Sequence, residues 1–192
     1  MIRLLYDTTI GGMRFGKGSI LNLEPAIEVG LITEGDADRN ALPQLIGQSY
    51  AGWTRSSATA AEDASYVALA SVTVPGGTMG LNSVLRIVLD WSYTNSVSTK
   101  TLVLDWGGPS ISAPTASASS GMKSLIEIAN KNSLSIQTIQ NHNNYGPASR
   151  LPDQTQNTAN DVVIDIKAKW SAAVASETIT LLGYSIWHYP GS

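Results

Sequence analysis

Through the middle of the chain, large apolar residues occupy every second position. From Leu85 to Thr94, the residues Leu85, Ile87, Leu89, Trp91 and Tyr93 alternate with Arg86, Asp90, Ser92 and Thr94, and Val88 alone breaks the second set. A period of two places the whole apolar set on one face of a β-strand. After the polar stretch Asn95 to Lys100 the alternation resumes at Leu102, Leu104 and Trp106, and Gly107, Gly108 and Pro109 stop it. Two alternating runs joined by a polar stretch predict a β-hairpin from Val84 to Trp106.

Similar segments recur downstream. Ser65 to Val74 ends at a Pro-Gly-Gly turn, and Met122 to Asn130 with Leu134 to Gln140 reads as a second strand pair. Val162 to Trp170 alternates with Asp165, Lys167 and Lys169 on the outer face. In the last run, Glu177 to Tyr189, the alternation changes phase between Leu181 and Tyr184, which predicts a bulge at Gly183. The uncharged stretch Pro109 to Gly121 is long enough to cross between sheets. No helical periodicity interrupts this region. It therefore reads as a mainly β domain over residues 65–192, an antiparallel β-sandwich of jelly-roll type.

The first 39 residues follow another pattern and predict a small α+β module. Short strands are expected at Ile2 to Tyr6, Met13 to Lys17 and Ile20 to Leu23. Pro25 then opens a helix carrying Ile27, Leu31 and Ile32, which Gly35 ends, and Asp36 to Arg39 leaves extended. Residues 40–64 read as an extended linker or arm, with Arg55 the only charge between Asn40 and Ala61. Its apolar residues exceed what a solvated tether carries. Leu45, Tyr50, Trp53 and Arg55 are accordingly expected at contacts with other subunits, the alternative being that the segment packs on the chain's own β domain.

Composition narrows the function. Charged residues make up 14% of the chain, against roughly a quarter in ordinary soluble domains. A surface of Ser, Thr, Asn and Gln suits a subunit of a larger assembly, and equally a β protein with Ser/Thr-rich loops. With a net charge of −3 and no basic cluster, nucleic acid is not an expected partner. The absence of cysteine removes disulfides and thiolate chemistry. No apolar run is long enough for a membrane span, and the N-terminus does not read as a signal peptide, so no membrane association and synthesis in a host cytoplasm are expected.

Candidate chemistry is sparse. His142 in the run NHNNYG and His188 in WHY lack the spacing of a metal or catalytic motif, and neither a cofactor nor a metal is expected. Asp90 and Asp105 stand at similar places in the two strands of the expected hairpin and could face one another as a glycosidase pair; their alternation with core residues argues that both simply point outward. The glycine pairs Gly11-Gly12 and Gly76-Gly77 lack a phosphate-loop context. No enzymatic activity is expected.

The run SVTVPGGTMGLNSVLRIVLDWSYTNSVSTKTLVLDWGG, followed by SLIEIANKNSLSIQTIQNH, resembles a β-sandwich segment of tailed-bacteriophage virion proteins. Pro75, Gly77, Gly80, Asn82, Leu85, Arg86, Ile87, Trp91, Tyr93, Asn95, Lys100 and Leu102 carry the match. FGKGSILNLEPAIEVGLITEGDA is similar to a short module of phage head and tail proteins. The resemblance implies a virion building block without catalysis, a homotrimer in contact with the major capsid protein or other virion subunits. A capsid decoration or cement protein is the expectation, and a carbohydrate-binding, receptor-binding sandwich of a tail fibre or baseplate is the alternative.

Overall fold

The computed structural model describes residues 2–4, 8–10, 13–15, 20–21, 37–38, 43–58, 63–141, 153–172 and 174–191. In the N-terminal region, β1 (Ile2–Leu4) lies between β4 (Ile20–Leu21) and β5 (Ala37–Asp38), while β2 (Thr8–Ile10) pairs with β3 (Met13–Phe15). Three of these strands fall where short apolar runs predict them, and β5 falls in the segment expected to be extended. β2 was not expected. The helix expected between Pro25 and Gly35 lies outside the described residues.

The remaining strands form two antiparallel sheets. They are β6 (Gln44–Ser49), β7 (Trp53–Ser56), β8 (Val67–Val74), β9 (Val84–Tyr93), β10 (Lys100–Trp106), β11 (Ser110–Ser112), β12 (Thr115–Ala116), β13 (Gly121–Asn130), β14 (Gln137–Asn141), β15 (Val162–Trp170) and β16 (Thr178–Tyr189). One sheet has the order β8-β15-β10-β11, with β12 also on β10. The other has the order β6-β16-β9-β13-β14, with β7 also on β16. If β6 with β7, and β11 with β12, are each taken as one interrupted strand, the orders become 1-8-3-6 and 2-7-4-5 in chain sequence, with β14 added at an edge. That is jelly-roll connectivity.

The expected hairpin is corrected by this topology. β9 pairs with β13 and β16, whereas β10 pairs with β15, β11 and β12, so the two strands belong to different sheets. Alternation marks one apolar face per strand but does not say whether the next strand lies beside it or opposite it across the core. The connecting stretch also lacks the Asn-Gly or Asp-Gly pair of a tight hairpin turn. β13 and β14 do pair directly, in the register Asn130↔Gln137 and Ile128↔Ile139.

The core is the meeting of the two inward faces. Leu85, Ile87, Leu89, Trp91, Ile126, Ile128, Ile179, Leu181 and Ile186 of one sheet pack against Leu102, Leu104, Trp106, Ile164, Ile166 and Trp170 of the other, all nearly or fully buried. β16 keeps its apolar side inward on both halves because the register with β9 slips between Leu181 and Gly183, which leaves Leu182 bulged out and exposed, as the phase change predicts. At one end of the sandwich buried amides close the gap. The Asn130 amide donates to the Gly80 carbonyl and to Thr158 Oγ1, and the Gln137 amide donates to Asn130 Oδ1 and the Gln156 carbonyl.

Two neighbours on β9 give a direct test of which face carries the stability. Ile87 is fully buried and Val88 sits half-buried on the outer face. Ile87→Ala should cost about 2–5 kcal/mol in urea unfolding, and Val88→Ala about 1 kcal/mol or less. Equal losses would contradict the assignment of faces.

Candidate functional site

The segment from Gln44 to Ser56, read from sequence as part of an arm, supplies the edge of one sheet. β6 runs against β16 in the register Tyr184↔Ser49 and His188↔Gln44, and β7 continues along it from Leu181↔Trp53 to Thr178↔Ser56. Gly52 in the break between them has φ +73°, a left-handed conformation that a glycine adopts without strain.

The four residues expected at intersubunit contacts separate into two kinds. Leu45 and Tyr50 are exposed, at 47% and 59%. Tyr50 lies over Gly183 so closely that a Cβ there would collide with its ring. Trp53 turns inward, packs on the core and stacks on Tyr184 with ring centroids 5.6 Å apart. Arg55 is buried, and its Nη1 donates to the carbonyls of Ser65 (2.8 Å) and Ala168 (2.7 Å) while the guanidinium lies 5.0 Å above the Trp170 ring. Trp53 and Arg55 therefore serve the chain's own sandwich, because a half-buried indole and a guanidinium that bonds main-chain carbonyls are already satisfied there.

Around Arg55 the structure gathers charges that sequence reading passed over. Lys100 opens β10 on the parity of Leu102, Leu104 and Trp106, so its side chain enters the sandwich and is fully buried. Its ammonium donates to Ser96 Oγ (2.6 Å) and pairs with Glu177 Oε2 at 3.2 Å. Glu177 also accepts from Ser98 Oγ (2.7 Å) and from the Trp170 indole N–H (3.1 Å). Ser57 bonds the Glu177 main chain on both sides, which fixes the carboxylate over the end of β15. Asp63, fully buried, accepts from the amides of Ala58 (2.9 Å) and Val174 (3.2 Å) and holds two loops together. The sequence signal was available: a lysine in phase with three core residues is a charge that needs a buried partner.

Burial of Glu177 works against its charged form, but hydrogen bonds from Ser96, Ser98 and Lys100 outweigh that and hold its acidity below the ordinary glutamate value. The partners of the carboxylate, the Ser98 hydroxyl, the Trp170 indole and the Lys100 ammonium, all belong to the chain's own sandwich.

The other sequence candidates are accounted for in the same way. Asp90 pairs with Lys123 at 3.3 Å, and Asp105 with Lys167 at 2.6 Å while accepting from Ser110 Oγ. They stand on different sheets, so the glycosidase pair does not exist, and Asp105 is buried rather than outward-exposed. His188 faces the core beside Leu85, 2% exposed, with both ring nitrogens unbonded; burial lowers its pKa. His142 lies outside the described residues, and Asn141 donates to Ser112 Oγ (2.8 Å). Among the described residues no three His, Asp or Glu side chains cluster as a metal site would need.

Fold and site together define a jelly-roll β-sandwich with Arg55, Asp63, Lys100 and Glu177 buried at one end of it and held by internal hydrogen bonds and an ion pair. No family model matches the chain, and no curated protein sequence matches it. Among solved structures, a chain from the infectious bursal disease virus Gx strain is similar over 92% of this chain and 46% of its own length, at 14% identity and a TM-score of 0.34. The present chain thus spans less than half of that one. A chain from the full particle of Israeli acute paralysis virus heated to 63 degrees is similar over 95% of this chain and 87% of its own, at 11% identity and a TM-score of 0.25. Likeness this distant leaves function to be argued from the chain's own residues.

Two outcomes follow from the buried charges. Glu177→Gln leaves Lys100 buried without a counter-charge and should cost about 3–5 kcal/mol, part of which Lys100→Met restores in the double variant. Full additivity of the two losses would show that they do not act as a pair. Acid should act in two stages. Burial disfavours protonation of His188 in the fold, so the unfolded chain takes up the proton first and stability falls from about pH 6.5 downward. Glu177, whose acidity is lowered in the fold, contributes stability above the ordinary carboxylate range that is lost as pH falls through its folded value. Chemical denaturation across pH should lose the first stage in His188→Phe and keep the second; an unchanged profile would refute the assignment.

Proposed function

We propose that the chain is a non-enzymatic structural subunit of a bacteriophage virion, a homotrimeric capsid decoration or cement protein that lies on the major capsid protein and reinforces the shell. The observation that carries this reading is the use made of its reactive groups. Asp90, Asp105, Glu177, Lys100 and Lys167 are spent on ion pairs inside the chain, and His188 is shut in the core. What remains outside is broad and weakly charged, which suits contact between subunits because few charges need be desolvated there. The jelly-roll connectivity and the phage-like sequence motifs support the same reading. A subunit of this kind is made in the host cytoplasm and resides in the virion.

Imaging of intact particles tests it. Added density at three-fold or quasi-three-fold positions of the shell is expected, and particles lacking the protein should burst at lower temperature. Density confined to the tail tip, with glycan binding abolished by changing Asn141 and His142, would replace this function with receptor binding.

A further inference from the structure

Of the ionisable side chains buried among the described residues, Arg55, Asp63, Lys100, Asp105 and Glu177 all have hydrogen-bond partners, and His188 has none on either ring nitrogen. It also stands where the sheet ends. His188 is the last residue but one of β16, paired to Gln44, the first of β6, and to Leu85, the second of β9. Water is near, since Leu45 is exposed. The register with β6 slips between Ile186 and Trp187, which sets the pairs Trp187↔Leu45 and His188↔Gln44 apart from the run between Tyr184↔Ser49 and Ile186↔Gly47. A slip interrupts the ladder, so the last two pairs can part without the others. Beyond His188 the chain is held by Arg86 over the Tyr189 ring and by the Gly191 amide, which donates to Ser83 Oγ at 3.3 Å.

Among the described residues no charge faces the imidazole. β6 and β8 carry no ionisable residue. Arg86 of β9 pairs with Glu127 of β13, and Asp90 with Lys123, all on the outer face of their sheet. On the opposed sheet Lys167 pairs with Asp105 and Asp165, and Lys169 lies over Tyr66, again on the outside. Asp161 accepts from the Gly76 amide. Lys100, with Tyr93 beside it, is bound to Glu177, which precedes the first residue of β16 and so lies at the far end of that strand from His188. Tyr184 faces inward and is stacked on Trp53. Burial alone therefore lowers the imidazole's pKa.

We propose that this corner of the sheet is an acid-released latch, in which protonation of His188 draws the end of β16 out of the core and unpairs the first residues of β6 while the two sheets stay packed. An imidazolium without acceptors is costly in the core and becomes solvated once the strand ends part. Parting these few residues exposes far less apolar surface than separating the sheets. In the open corner the imidazole titrates near its ordinary value, about pH 6.5, and in the closed corner lower. Below about pH 6.5 each unit of pH thus favours opening by up to about tenfold, until the closed form also takes up the proton. β6 is the first strand of the sandwich in the chain, so the latch releases the first point at which the chain is fastened to it.

Residue-resolved amide exchange of the full chain, corrected for the pH dependence of intrinsic exchange, tests it. Protection in the first residues of β6 and the last of β16 should be level above about pH 6.5 and fall by up to about tenfold per pH unit below it, whereas the middle of β13 and of β15 keeps its protection. His188→Leu and His188→Gln, which cannot titrate, should abolish the fall. The imidazole resonance of His188 in the unmodified chain gives a second readout that needs no variant to fold: its titration should accompany the loss of protection at the corner. A fall retained in a folded variant, protection lost from all strands together, or a corner that stays protected through the acid range would each overturn the latch.

Discussion

Each sheet carries one face that cannot remain in water, and the fold follows from covering both with each other. Leu85, Ile87, Leu89 and Trp91 have no other surface available than the one bearing Leu102, Leu104, Ile164 and Ile166. Each such side chain contributes on the order of 1.5–3 kcal/mol by leaving water, and only the opposed sheet makes that possible. Consecutive strands therefore cross the core more often than they pair, and the crossing segments close the ends of the sandwich.

Those ends are sealed by different chemistry. At one, neutral amides of Asn130 and Gln137 satisfy loop carbonyls, an arrangement insensitive to pH. At the other, a lysine and a glutamate meet beneath the turn between β9 and β10, with Trp170 between that pair and Arg55. Ion pairs in low dielectric seldom add much net stability over apolar packing, but they tolerate no loss of a partner. The charged end thus specifies one arrangement of its loops, since any other leaves the Lys100 ammonium without acceptors.

Much of the sandwich was legible because period-two alternation is a local signal. β9, β10, β13 and β15 could be read from it directly, and the slip at Gly183 showed as a change of phase. Strand pairing was legible only across the short connection between β13 and β14. Whether β10 lies beside β9 or across from it depends on partners tens of residues away, and the turn between them carries no decisive chemistry. The segment holding Trp53 and Arg55 lacked periodicity because β6 and β7 are short and offset by a bulge and a glycine. The charged end was hidden for a related reason: Lys100 and Glu177 are remote in sequence, and only the parity of Lys100 hinted that they meet.

β16 has a position that matters for how the molecule is made. It is the last of the sandwich strands in the chain, yet it sits inside its sheet between β6 and β9. During vectorial synthesis β6 and β7 leave the ribosome before β16, their sheet partner among the described residues, and that side of the sheet stays open until β16 is released. Contacts of such long sequence separation make closure slow. A chain that lacks β16 therefore presents an unfinished sheet, with β6 and β7 unjoined to β9.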